Sequence, residues 1–269
     1  MSKHRARLLV LAAMALSAVA VFAPAAQGAK PAEPYARFAG CPDEDPAIAA
    51  CVRSVVNSGN FQMGSKSVPI TNPITITGGL NSTLGGFTAN SEGGMQPVKQ
   101  LVPGGLIGLT GLDWLVNFLN VEQLKLYAVT ELVGPPVISN SLSLPIRVHL
   151  INPALGSKCY VGSTAKPIEL SLIYGTTSPP PPNEPITGVT PTFSFDEPSG
   201  VLKFANGTYV DNSFAAPGAS GCVLNVLGLL PIGLDGIVNG VSGLPAAAGT
   251  NETTQNIDIE IAPVERVYP

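Results

Sequence analysis

From Leu142 to Leu150 the sequence alternates, with Leu144, Ile146, Val148 and Leu150 on one side of an extended chain and Pro145, Arg147 and His149 on the other. A period of two held over nine residues fits a strand buried on one face; a helix would scatter the same side chains around its axis. Similar runs occur at 70–77, 124–133, 168–174 and 257–261, and 192–209 reads as a hairpin. Between them the punctuation is dense, because 29 Gly and 26 Pro in 269 residues leave little room for long helices. The expectation is a mainly β protein of antiparallel, sandwich-like sheets.

The chain begins with a basic head, Lys3, His4, Arg5 and Arg7, followed by an apolar run from Leu8 to Phe22. Small residues follow, and Ala23-Pro24-Ala25 or Ala26-Gln27-Gly28 would serve as the cleavage site, so residues 1–28 read as a signal peptide. Fifteen apolar residues fall short of the roughly 20 that cross a bilayer, and no transmembrane span is expected after cleavage. The exported chain would carry 11 basic against 18 acidic residues. That acidic balance offers no field to attract nucleic acid.

All four cysteines, Cys41, Cys51, Cys159 and Cys222, follow the expected cut, and an even set in an exported chain reads as disulfides. Of the three pairings, Cys41 with Cys51 and Cys159 with Cys222 is favoured. The first closes the short loop CPDEDPAIAAC, and the second falls within one of two apparent repeats. A four-thiolate zinc site would want a CxxC knuckle, which is missing.

The repeats rest on two ordered matches. Gly64-Ser65 and Pro69-Ile70 recur at identical spacing as Gly162-Ser163 and Pro167-Ile168, and the segment from Gly111 to Asn117 recurs from Gly233 to Asn239. The organisation expected is an N-terminal segment with a small disulfide loop (29–59), a first repeat (60–157) and a second repeat with a Pro-rich insertion (158–269), sharing one core. The insertion holds Ser178-Pro179-Pro180-Pro181-Pro182-Asn183, read as a rigid connection in preference to a PxxP ligand. Each repeat should contribute a short amphipathic helix. Leu112, Leu115, Val116 and Leu119 share the i, i+3, i+4, i+7 spacing of Leu234, Ile237, Val238 and Val241, with Asp113 or Asp235 in the first turn. Glycines 104, 105, 108 and 111 place the first of these helices no earlier than Leu112.

Chemistry is sparse. With His4 in the signal peptide only His149 remains, so multi-histidine metal sites are not expected, and no GxGxxG, Walker loop or HExxH supports a cofactor. His149 sits mid-strand and reads as an ordinary strand residue beside Arg147 rather than a catalytic base. The sequence Ala89-Asn90-Ser91-Glu92-Gly93 is a distant variant of a nucleophile elbow, without the flanking strand and helix. Asp43-Glu44-Asp45 reads as a solvated loop, and Asp258 with Glu260 as the wet face of an edge or outer strand. Asn81, Asn206 and Asn251 head glycosylation sequons.

Two uncharged, glycine-rich stretches, 101–112 and 222–234, are core or the wall of a groove for an apolar ligand. The repeats differ in one physical respect: Trp114 and Phe118 on the first helix correspond to Gly236 and Gly240 on the second. That aromatic ridge either packs internally, even into the opposite glycines, or anchors a ligand.

At SPPPPN (178–183) and from Gly243 to Asn251 the chain resembles small secreted proteins of actinobacteria, mostly uncharacterised, some of them carrying a sterol-ester hydrolase label. The resemblance covers about the last half of the chain through short motifs, implies export, and transfers no catalytic residue. The leading expectation is a secreted, non-catalytic extracellular or envelope protein that binds an apolar small molecule or an envelope partner. The alternative is a lipid or sterol-ester hydrolase with an atypical serine.

Overall fold

The computed structural model describes residues 31–81, 86–90, 94–113, 115, 119–139, 141–224 and 231–269. The expected signal peptide, Ser91, Trp114 and Phe118 lie outside them. Two antiparallel sheets pack face to face. The first contains β1 (Ile48–Met63), β2 (Lys66–Ile70), β3 (Ile74–Asn81), β4 (Phe87–Ala89), β11 (Thr192–Asp196), β12 (Val201–Asp211) and β16 (Glu252–Pro263), in the order β11-β12-β16-β1-β3-β4 with β2 also on β1. The second contains β5 (Lys99–Leu101), β6 (Tyr127–Leu132), β7 (Val137–Ile138), β8 (Leu142–Ile151), β9 (Tyr160–Val161), β10 (Ile168–Leu172) and β13 (Ala219–Ser220), in the order β13-β9-β8-β6-β5 with β7 and β10 also on β8. The strands β14 (Val223–Leu224) and β15 (Ile232–Gly233) form a separate two-stranded sheet, with β14 also bridged to Leu155. Among the described residues there are four short α-helices: α1 (Gly105–Thr110), α2 (Val121–Leu124), α3 (Asp235–Ser242) and α4 (Val264–Val267).

The alternation in β8 becomes the inner face of the second sheet, where Leu144, Ile146, Val148 and Leu150 are all buried. Opposite it, β1 presents Val52, Ser54 and Val56 and then, past a bulge between Val56 and Ser58, Phe61 and Met63. The extra residue shifts the alternation by one, so an odd-numbered set takes over the inner face. A satellite core lies apart from this one. It packs Phe38, Ile48, Val201, Ala262 and Val267 around the Cys41–Cys51 disulfide, so the N-terminal segment and α4 are clamped to the first sheet. The second disulfide joins Cys159 to Cys222.

Several expectations change. Gly64 and Ser65 turn the β1–β2 hairpin, whereas Gly162 to Pro167 form an excursion between β9 and β10, which lie end to end along one edge of β8. The two matched segments therefore do different jobs, and no internal duplication is displayed. The stretch upstream of Leu112, expected to be loop, contains α1, bounded by left-handed Gly104 and Gly111; of the helix expected from Leu112 onward, residues 114 and 116–118 lie outside the described residues. Gly105 sits so close to α2 that a Cβ would lie 2.3 Å from the Leu124 carbonyl oxygen, so tertiary packing rather than propensity selects glycine there. The stretch 70–77 breaks into β2 and β3, and the run from 124 opens with a helical turn before β6. Nor is β16 at an edge: it runs between β1 and β12.

Candidate functional site

The seam between the sheets is incompletely filled. A central void of about 50 Å³ is walled by Val56 and Ile76 from the first sheet and by Ile146 and Leu170 from the second. A second void, about 40 Å³, extends under α1 and α3, bounded by Val102, Leu109, Val238 and Leu244. A third, about 30 Å³, lies toward Val52, Phe87, Ile138 and Leu142. Phe61, Met63, Val68, Ala128 and Val148 wall both the central and second voids, and Ile76 and Leu144 wall both the central and third. The three thus form a row with shared walls. Apolar space of this kind accepts apolar guests.

Polar groups along the row are few. At the central void the Gln100 amide is turned into the protein: its oxygen accepts the N–H groups of Thr71 and Asn72, and its nitrogen donates to the Asn72 carbonyl at 2.6 Å. Gln255 donates to Thr253 Oγ1. Two serines differ. Ser242 Oγ, at the end of α3, and Ser54 Oγ, on β1, are buried without a hydrogen-bond partner among the described residues, and they wall the second and third voids. Lys66 also walls the second void, its ammonium donating to the Gly108 carbonyl in α1 at 2.7 Å.

The greasy stretches enter this picture in part: Val102 and Leu109 wall the second void, and Leu106 is fully buried beside them. Gly236 and Gly240 do not. No described residue comes within 4 Å of where a Cβ on either would stand, so the proposed partners of the aromatic ridge face open space among the described residues. Within α3, Leu234 at the N-cap and Val238 are buried while Ile237 and Val241 are over a third exposed, a narrower apolar face than the spacing promised. Asp235 serves the neighbouring loop: its carboxylate accepts the backbone N–H groups of Gly221 (3.2 Å) and Cys222 (2.7 Å), holding one end of the second disulfide.

The remaining candidates lie on outer faces. His149 stacks on Tyr160 with ring centroids 4.3 Å apart; its Nε2 lies 3.1 Å from the Ser157 carbonyl oxygen and its Nδ1 3.5 Å from a Glu131 carboxylate oxygen. Glu131 also pairs with Arg147, and His149 borders a wide depression of about 480 Å³ that includes Lys99, Tyr127 and Asn152. Glu260 pairs with Arg37 at 2.6 Å and Lys203 at 3.2 Å, while Asp258 accepts from Asn57 and from the Asn206 backbone. These carboxylates are fully used in structural contacts. Asp45 caps the Ala47 N–H inside the small disulfide loop. Among the described residues no cluster of three or more His, Cys, Asp or Glu could hold a metal ion, and no helix is long and apolar enough to cross a membrane.

The interior row was not visible in the sequence, because its walls come from many elements that each contribute one or two side chains. The bulge that brings in Phe61 and Met63 is marked in the sequence only by Asn57-Ser58-Gly59. No protein-family model, curated protein or solved structure matches the chain.

Proposed function

We propose that this is an exported, non-catalytic protein of the extracellular space or cell envelope that holds an apolar ligand between its two sheets. What supports the reading is the row of three voids sharing apolar walls along the seam. Protein interiors ordinarily close to crystal-like density, and each unfilled void costs stability. Met63 and Met95, which wall the central void, have the unbranched side chains that reshape most readily around a guest.

The test uses the mature protein. Extraction into organic solvent, read by mass spectrometry, should release a stoichiometric apolar molecule, and the stripped protein should bind the neutral fluorophore N-phenyl-1-naphthylamine. A protein that yields nothing and leaves the fluorophore dark overturns the reading.

A hydrolase reading draws on the contact between Glu131 and His149, an acid beside an imidazole at the rim of an open depression. Turnover of a chromogenic fatty-acyl ester, abolished by a serine-reactive phosphonate, would move it ahead.

A further inference from the structure

Given that proposed apolar site, we infer that its ligand is a straight-chain fatty acid whose carboxylate sits between Lys66 and Ser242. Among the described residues, the second void is the one part of the row with both a cation and an unsatisfied hydroxyl in its wall. Ser242 is 2% exposed, so its Oγ is removed from water and has no protein acceptor among the described residues. A buried hydroxyl left this way costs free energy that an incoming acceptor would recover. Lys66 spends one of three ammonium protons on the Gly108 carbonyl, and no described carboxylate lies within ion-pair distance. A carboxylate supplies what both groups lack: a single negative charge for the ammonium and a lone pair for the hydroxyl.

The fold brings the two together. The Gly64–Ser65 turn docks on the end of α3, with the Ser65 N–H donating to the Ser242 carbonyl at 2.9 Å and Ser65 Oγ to the Val241 carbonyl at 3.0 Å. Lys66 is the next residue, so the same docking brings it to the end of the second void. From there the row runs through the central void to the third, which has an unpartnered Ser54 hydroxyl but no cation in its wall. The charge therefore belongs at the Lys66 end and the hydrocarbon toward β7. An unbranched chain matches a narrow row of voids better than a fused-ring molecule does.

Displacement of N-phenyl-1-naphthylamine by dodecanoate and by its methyl ester tests this on the unmodified protein. Dodecanoate should bind about tenfold more tightly than the ester, the value of one charge-assisted contact. Lys66→Gln should erase that preference by weakening the acid alone, Lys66→Arg should keep it, and Ser242→Ala should weaken the acid several-fold without lowering the melting temperature. If the fluorophore binds but acid and ester compete equally, or Lys66→Gln weakens both alike, the head-group assignment is wrong and the apolar site stands. If neither the fluorophore nor either chain binds, the apolar site itself fails and this assignment with it.

Discussion

The side-chain oxygen of Asn251 accepts the backbone N–H of Gly64 at 2.9 Å, joining the β1–β2 turn to the chain just before β16. The same side chain donates to the Phe214 and Ala247 carbonyls at 2.9 and 3.0 Å, and the Asn251 carbonyl accepts from Asn183 at the end of the proline run. One fully buried amide thus ties three segments together and satisfies the Gly64 N–H and the Phe214 carbonyl.

Asn251→Ala should therefore cost about 2 kcal/mol or more, since it strands the Gly64 donor and the Phe214 acceptor at about 1 to 3 kcal/mol each, while the Ala247 carbonyl keeps Thr250. Gly64→Ala should act in the same direction. Gly64 has φ +53, and a Cβ there would lie 2.3 Å from the Ser242 carbonyl oxygen. Denaturant unfolding of both variants checks this; a loss below 1 kcal/mol for Asn251→Ala would contradict the account.

The same burial separates the sequons. Asn206 is exposed in the irregular part of β12, with φ 59, whereas Asn251 is fully enclosed. Expressed through a glycosylating secretory pathway, the folded product should carry sugar at Asn206 and none at Asn251. Glycopeptide mapping that finds a folded, Asn251-glycosylated species would refute the structural role given to that amide.

How much of this was legible follows from how local each signal is. The β8 alternation is written in consecutive residues, and so is the 192–209 hairpin that becomes β11 and β12. The disulfide pairing also emerged, because an even cysteine set leaves only three choices. What failed was non-local. Glycine at 105 looked like a helix breaker, yet its role is to let Leu124 approach, a contact the sequence does not display. The alternation of Asp258 and Glu260 located a wet face correctly but could not tell an edge strand from β16, whose flanking strands come from opposite ends of the chain. For the site, Val102 and Leu109 lay in a stretch already singled out; Lys66 and Ser242 did not, since neither means anything until the turn docks on α3.

Asp211 should give stability a measurable pH dependence. Burial pushes its carboxyl above the ordinary 3.8, opposed by hydrogen bonds from the Ser171 and Ser213 backbone N–H groups. An acid with a raised folded-state pKa holds its proton longer in the native protein. Its contribution to stability is thus greatest below the unfolded value, falls as pH rises toward the folded one, and is constant above it. Against an Asp211→Asn variant, which does not titrate here, the stability advantage of the natural protein should shrink as pH rises from about 3.5 to 7. An advantage constant across that range, or growing with pH, would show that burial does not dominate at this carboxylate.

The two disulfides should be unequal. Cys41–Cys51 spans 10 residues and Cys159–Cys222 spans 63. Chain-entropy arithmetic gives about 3 and about 4 kcal/mol for loops of these lengths. The longer bond also fixes the loop that Asp235 holds beside α3, so its loss should disturb the second void as well. Paired Cys→Ala replacement should lower the melting temperature further for 159/222 than for 41/51, and only the 159/222 variant should lose affinity for N-phenyl-1-naphthylamine. Equal losses of affinity would place the disturbance outside that void.

A last variant distinguishes a kept space from a packing fault. Ala128 on β6 is buried and walls both the central and second voids, whose described walls are apolar apart from Lys66, Ser242, Thr130, Gln100 and Gln255. Replacing it with leucine puts new methyl groups into vacant volume, which should raise stability by about 0.5 to 2 kcal/mol, as cavity-filling changes commonly do. If the row of voids is a ligand site, the same change must cut affinity for the neutral fluorophore about tenfold, because the leucine and the guest compete for one volume. Melting temperature and fluorophore titration on the same sample read both effects. Greater stability with undiminished binding would place the guest elsewhere, and lower stability would mean that the sheets cannot accommodate even a larger side chain, still less a ligand.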